Sequence, residues 1–267
     1  MNIGAEDVFE SLETIRGTAP LIHNITNYVV MNSTANALLA LGASPVMIHA
    51  EEEVEDMVSM ASALVINIGT LSEPWVRGMF KALRRAGERG IPVVVDPVGA
   101  GATAYRTGTV RRLIESGRPT IIRANASEMM ALLDDGMKTK GVDSTAGSDE
   151  ALTAAQRVSE RYGCTVCVSG ATDYVVGDSR VVKLFNGHPM MARVTGLGCT
   201  ATALCAAFAA VERHPLVAAV KATAVMGIAG EMAAARSEGP GSLQMHFLDL
   251  LYGLGKADVL EHLRIEA

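Results

Sequence analysis

Short apolar runs alternate with amphipathic stretches along most of the chain, and this alternation restricts the fold more than any other feature. Strands are expected over residues 21–24, 44–48, 63–68, 93–95, 120–123 and 165–169. Helical periodicity is expected over 28–41, 51–61, 73–89, 105–116, 126–133 and 148–162. Pro74 stands in the first turn of the third helix, where its missing N–H costs nothing. Continuous apolar strands bounded by helices imply a largely parallel sheet covered on both faces. Runs over 173–176 and 181–185 flank Gly177-Asp178-Ser179, a hairpin signal for an antiparallel edge. The remainder, over 198–212, 215–235 and 243–254, is mostly helical. The expected fold is therefore α/β and three-layered: a mostly parallel central sheet, helices on both faces, and an antiparallel edge hairpin.

Composition narrows the class. At 267 residues the chain can bury roughly 75% of its unfolded surface, and no composition break divides it, so residues 1–267 are expected to form a single domain. The net charge is −6 and no Lys/Arg run exceeds two residues, which argues against nucleic-acid binding. The N-terminus lacks a basic flank followed by an apolar run, so no secretory signal is read and a cytoplasmic location is expected. The apolar stretch 217–235 is interrupted by Lys221 and Glu231 and is expected to be a buried core helix, not a membrane span. Cys164 and Cys167 form a C-x-x-C within a strand, where that spacing sends the side chains to opposite faces and points to core packing. The six histidines show no H-x-x-x-H spacing, and His23, inside a strand, is expected as a hydrogen-bonded core residue.

In sheets of this kind ligands bind at the carboxyl ends of the strands. Polar and glycine residues gather at those ends: Asn24 and Asn27, Gly69-Thr70, Asp96-Pro97-Val98-Gly99-Ala100-Gly101, Arg123-Ala124-Asn125, and Ser169-Gly170, with Met47 closing the second strand. Each also has an ordinary reading as turn chemistry. Asp96 is costly at a buried strand end unless paired, capping or bound to a cation. Asn125 and Glu128 share one face of a helix start, where Glu128 either closes a capping box or holds a water of Mg²⁺. Arg123 is read as a charge-assisted phosphate donor or a surface ion pair. Late in the chain, Thr195-Gly196-Leu197-Gly198-Cys199 opens an Ala-rich helix. A glycine turn feeding a helix aims backbone N–H groups at an anion, and a cysteine there is expected to have a lowered pKa.

Four segments together carry a family resemblance: Pro20-Leu21-Ile22-His23-Asn24-Ile25-Thr26-Asn27, Asp96-Pro97-Val98-Gly99-Ala100-Gly101, Arg123-Ala124-Asn125-Ala126-Ser127-Glu128, and Val194-Thr195-Gly196-Leu197-Gly198-Cys199. Nearly end to end, the chain resembles the hydroxyethylthiazole kinases of the ribokinase-like fold. The resemblance implies transfer of the ATP γ-phosphate to the primary alcohol of 4-methyl-5-(2-hydroxyethyl)thiazole, a salvage step of thiamine biosynthesis that requires Mg²⁺. It also implies a homotrimer with active sites at the subunit interfaces. By motif match, Asn27, Met47 and Gly196 contact the thiazole; Arg123 and Ser169 contact ATP, with Thr195 and Gly198 at the phosphates; Asp96 and Glu128 manage Mg²⁺; and Cys199 takes the catalytic position as the base that accepts the alcohol proton, where the wider superfamily carries aspartate. The rival readings are a kinase of the same fold for a hydroxymethylpyrimidine, pyridoxal or other small alcohol, and a non-catalytic nucleotide-binding regulator.

Overall fold

A computed structural model describes residues 3–133 and 148–267. Its strands are β1 (Leu21–Ile25), β2 (Ser44–Val46), β3 (Ala63–Asn67), β4 (Val93–Asp96), β5 (Ile121–Asn125), β6 (Thr165–Ser169), β7 (Asp173–Gly177), β8 (Arg180–Leu184) and β9 (Ile265–Glu266). Its helices are α1 (Ala5–Thr18), α2 (Met31–Leu41), α3 (Val54–Met60), α4 (Glu73–Arg89), α5 (Ala104–Gly117), α6 (Ala126–Leu133), α7 (Ser148–Tyr162), α8 (Leu197–Ala209), α9 (Pro215–Ala235), α10 (Pro240–Gly253) and α11 (Lys256–His262). A short 3₁₀ turn, Pro189–Arg193, leads into α8.

One sheet carries all nine strands in the order β2-β1-β3-β4-β5-β6-β7-β8-β9. Pairing is parallel from β2 through β6 and antiparallel from β6 through β9. The apolar runs are continuous because the central strands are covered on both faces; every residue of β3 and β4 is buried. Alternate residues feed two cores. Val65, Val94, Ile121 and Cys167 meet Leu204, Phe208 and Val225 on one face. Leu64, Val95, Ile122 and Val166 meet Met79, Leu83, Val110 and Val158 on the other. Phe208 is fully buried, and truncating such a side chain to alanine costs about 3–5 kcal/mol.

Cys164 and Cys167 are buried in opposite cores, as their spacing requires. The edge hairpin turns through Asp178 and Ser179, both at positive φ (50° and 59°), between the paired Gly177 and Arg180. Two left-handed residues make the primed turn that matches strand twist. α9 is long and apolar enough to cross a membrane by composition, but most of it is buried inside the fold. The charges that interrupt it are answered locally: Lys221 meets Glu212 at 3.0 Å and Ser11 Oγ at 2.8 Å, and Glu231 meets Arg264 at 2.6 Å.

Several boundaries differ from those expected. α2 begins at Met31, not Tyr28. Asn27 Oδ1 accepts from Val29 N at 3.1 Å, and Tyr28 N donates to Thr70 Oγ1 at 3.1 Å. The side chain of Asn27 thus closes a local turn that competes with helix. α1, the 3₁₀ turn, α11 and β9 were not foreseen.

Candidate active site

The strand order places β1 between β2 and β3, so chain direction across the sheet reverses at β1/β3 and leaves a crevice at their carboxyl ends. Register then brings polar residues side by side. Asn67 lies opposite Asp96, and Asn125 lies opposite Ser169. Asn67, Asp96, Arg123 and Asn125 share the side-chain parity of Val65, Val94 and Ile121, which places them on the sheet face packed by α8.

Hydrogen bonds tie this row to the start of α8. Asn27 Nδ2 donates to Asn67 Oδ1 at 2.9 Å and to Cys199 Sγ at 3.4 Å. Asn67 Nδ2 and Thr202 Oγ1 both donate to Asp96 Oδ2 at 2.8 Å. Arg123 Nη1 donates to the Gly198 carbonyl at 2.9 Å. Among the described residues, Asp96 caps no helix and has no cation in salt-bridge contact, and Arg123 forms no ion pair. Burial pushes the Asp96 carboxyl above its ordinary range, opposed by the Arg123 charge and by the Thr202 and Asn67 donors.

α8 opens with Gly196 at φ +90°, a conformation that an L side chain rarely adopts. A Cβ there would also come within 2.8 Å of Val30 Cγ1. Among the described residues no side chain caps this N-terminus, so the leading N–H groups of Leu197, Gly198 and Cys199 keep their donor capacity for an anion. On the other side of Asp96, Glu128 closes the capping box: its Oε2 accepts from Asn125 N at 3.0 Å while Asn125 Oδ1 accepts from Glu128 N at 2.9 Å. Its Oε1 accepts from Gly99 N at 2.8 Å. Burial, with the Asp96 charge adding to it, pushes Glu128 up to about 7.

The expectation for Cys199 is overturned in one respect. The helix start was expected to lower its pKa. Burial, and next the charge of Asp96, push the thiol up to about 12, with Asn67 and Asn27 pulling weakly the other way. Desolvation dominates, so the sulfur stays protonated at neutral pH.

Asn27, Asp96, Arg123, Gly198 and Cys199 are therefore joined in one network, with Glu128 beside it. Met47 follows β2 at the sheet edge, half-buried; Ser169 ends β6, also half-buried; Thr195 is exposed just before Gly196. Among the described residues no hydrogen bond links those three to the network, and topology alone brings them to the same sheet end. Sequence reasoning missed Asn67, Thr202 and Arg106. Asn67 obeys the same strand-end rule as Asp96, and Thr202 follows Cys199 by three residues, hence on the same helix face. Arg106 carried no signal; it donates to the carbonyls of Ile68 and Gly69, both at 2.7 Å, and of Val98 at 3.0 Å, clamping the β3 and β4 end loops together.

A doubly wound sheet with an antiparallel edge, a glycine-rich helix start and a buried aspartate at the end of β4, one strand beyond the switch point, define a ribokinase-like small-molecule kinase architecture. A pyridoxal kinase from Staphylococcus aureus, solved with pyridoxal, shares this fold at 17% identity and a TM-score of 0.66, covering 92% of this chain and 97% of that one. More specifically, the hydroxyethylthiazole kinase family model matches residues 12–257, and the chain belongs to that family. It is 61% identical to a hydroxyethylthiazole kinase of Syntrophus aciditrophicus over 100% of this chain and 99% of that protein. The solved hydroxyethylthiazole kinase of Pyrococcus horikoshii superposes with a TM-score of 0.90 at 43% identity, covering 98% of both chains.

Proposed function

We propose that the chain, acting as a single kinase domain, transfers the γ-phosphoryl group of ATP to the primary alcohol of 4-methyl-5-(2-hydroxyethyl)thiazole, a salvage step toward thiamine. One observation carries the reading: the uncapped start of α8 is bonded through Arg123 and Thr202 to the strand ends that hold Asp96, while the adjacent Cys199 sulfur contacts Asn27. An anion cradle and an alcohol-facing group then lie on opposite flanks of one residue turn.

In this mechanism Asn27, Met47 and Gly196 seat the thiazole, with the soft methionine side chain suited to a sulfur-bearing ring. Arg123 and Ser169 hold the nucleotide. Thr195 and the amides through Gly198 receive the phosphates and stabilise charge as it develops on the transferring group. Phosphoryl transfer is mostly positioning and charge stabilisation, with a loose transition state in which the alcohol proton leaves late. A protonated Cys199 therefore serves by orienting the hydroxyl, not as a ready base. Asp96 and Glu128 offer an all-oxygen donor set, and both carboxyls are raised by burial, which a bound cation would relieve. Such a pair fits Mg²⁺, which binds through one or two carboxylates plus waters and substrate phosphates. When bound, that ion would neutralise phosphate charge.

Family membership supports a homotrimer in which a neighbouring subunit completes the thiazole subsite, and exposed Tyr28 and Val29 beside Asn27 offer apolar surface for such a contact. Membership of a small-molecule kinase family supports a cytoplasmic enzyme whose partners are its two substrates. The test is ADP release by purified protein with the thiazole alcohol, with and without Mg²⁺, alongside hydroxymethylpyrimidine and pyridoxal. Metal-dependent turnover with kcat/KM highest on the thiazole alcohol is expected. A higher kcat/KM on either rival moves the assignment to that substrate, and nucleotide binding without ADP release on any of the three makes the chain a regulator.

A further inference from the structure

Asn67 is enclosed at the end of β3, 1% exposed, and its amide meets three neighbours. Nδ2 donates to Asp96 Oδ2 at 2.8 Å; Oδ1 accepts from Asn27 Nδ2 and from Gly69 N, each at 2.9 Å. The Gly69 amide can only donate, so the amide orientation is determined: oxygen toward β1 and the Gly69 turn, nitrogen toward Asp96. Asn27 passes the contact on to Cys199 Sγ at 3.4 Å. Thr202, three residues further along α8, returns to the same Asp96 oxygen at 2.8 Å. The result is a closed ring: Cys199, Asn27, Asn67, Asp96, Thr202, and back along one turn of α8.

We infer that Asn67 is a positioning residue that sets the alcohol side of the site, Asn27 and Cys199, in register with the Asp96 carboxylate on the phosphate side. The inference rests on the proposed alcohol-kinase reading and names the part that aligns its two reactants. Asn67 lies beneath the site, beside the Cys199 sulfur, and acts through Asn27, Asp96 and that sulfur. Alanine at this position removes all three contacts. Serine, with one hydroxyl, can meet one neighbour but cannot span both sides.

Two measurements test it. The first needs no substrate: the rate of iodoacetamide alkylation of Cys199 at one pH, resolved by peptide mass. Asn67→Ala and Asn27→Ala are each expected to speed alkylation about threefold or more, because both uncover the sulfur, and the double variant is expected to be no faster than either. Thr202→Val, which removes the other donor to Asp96 but leaves the asparagines, is expected to stay within about twofold of wild type. The second is steady-state kinetics. Asn67→Ala is expected to lower kcat about 100-fold and raise KM for the alcohol, with KM for ATP within about twofold of wild type. Wild-type alkylation in a folded Asn67→Ala protein, additive acceleration in the double variant, or a parallel rise in both KM values would overturn the assignment. Should the alanine variant not fold, Asn67→Ser is read against the same outcomes. If the wild-type chain releases no ADP with the thiazole alcohol, the functional reading fails, while the alkylation series still decides the role of Asn67.

Discussion

Asp96 and Glu128 are neighbouring buried carboxylates, yet the fold holds them by different means. Asp96 is held by side chains, with Asn67 and Thr202 both on Oδ2. Glu128 is held by backbone, with Gly99 N on Oε1 and Asn125 N on Oε2. The first arrangement concentrates two side-chain donors on one oxygen. The second uses both oxygens to shape a loop and start a helix. Equal burial therefore does not mean an equal setting: Asp96 is fixed by neighbouring side chains, whereas Glu128 builds the corner in which it sits.

The sharpest way to break this contrast is kinetic. Asp96→Asn is expected to lower kcat roughly 1,000-fold, the scale of losing several kcal/mol of charge stabilisation, whereas Glu128→Gln is expected to cost about tenfold. Equal losses in ADP-release assays would erase the distinction. Stability should reverse the ranking. Glu128→Ala leaves two buried backbone N–H groups without their carboxylate and should lower the unfolding free energy by about 2–4 kcal/mol in urea titrations, against less than about 1 kcal/mol for Asp96→Asn.

A third test adds a carboxylate to the alcohol side of Asp96. Cys199→Ala should lower kcat about tenfold, below the 10²–10⁴ of a true general base, because the protonated thiol only orients the hydroxyl. Cys199→Asp should keep or raise turnover, since it supplies an acceptor for the departing proton. An alanine variant with unchanged kcat would remove Cys199 from the catalytic position. The smallest effect is a slope. Reactivity follows the thiolate, so with the thiol pushed up to about 12, Cys199 alkylation should rise about tenfold per pH unit from pH 7 to 9. A plateau in that range would mean that the helix end, not burial and Asp96, controls the sulfur.

The layered architecture could be read from the chain because its strands are unbroken apolar runs and its helices carry clear ends. Pro74 and Pro215 open α4 and α9, and both helices begin and end within the expected stretches. α1 escaped notice because its buried stripe is narrow, Val8, Leu12 and Ile15 among charged neighbours. The two residues of β9 form a strand only because β8 offers an edge to pair with. The same boundary runs through the site. Strand-end chemistry picked out Asn27, Asp96 and Arg123, since that rule needs only the order of elements. It passed over Asn67 and Thr202, whose importance depends on which strands lie side by side and how α8 is rotated. The acid strength of Cys199 was misjudged for a related reason: a helix start is visible in sequence, but the enclosure around the sulfur is assembled from β1, β3 and β4.

Gly69 leaves no room of its own: a Cβ there would sit 2.5 Å from Asn27 Nδ2. A methyl group at one loop would thus be felt, through direct collision, by the residue that touches the sulfur. Substitutions tolerated singly at most loop positions would here be tolerated only in pairs. During divergence the β1 and β3 loops are expected to drift together, with a larger residue at one accompanied by a smaller one at the other.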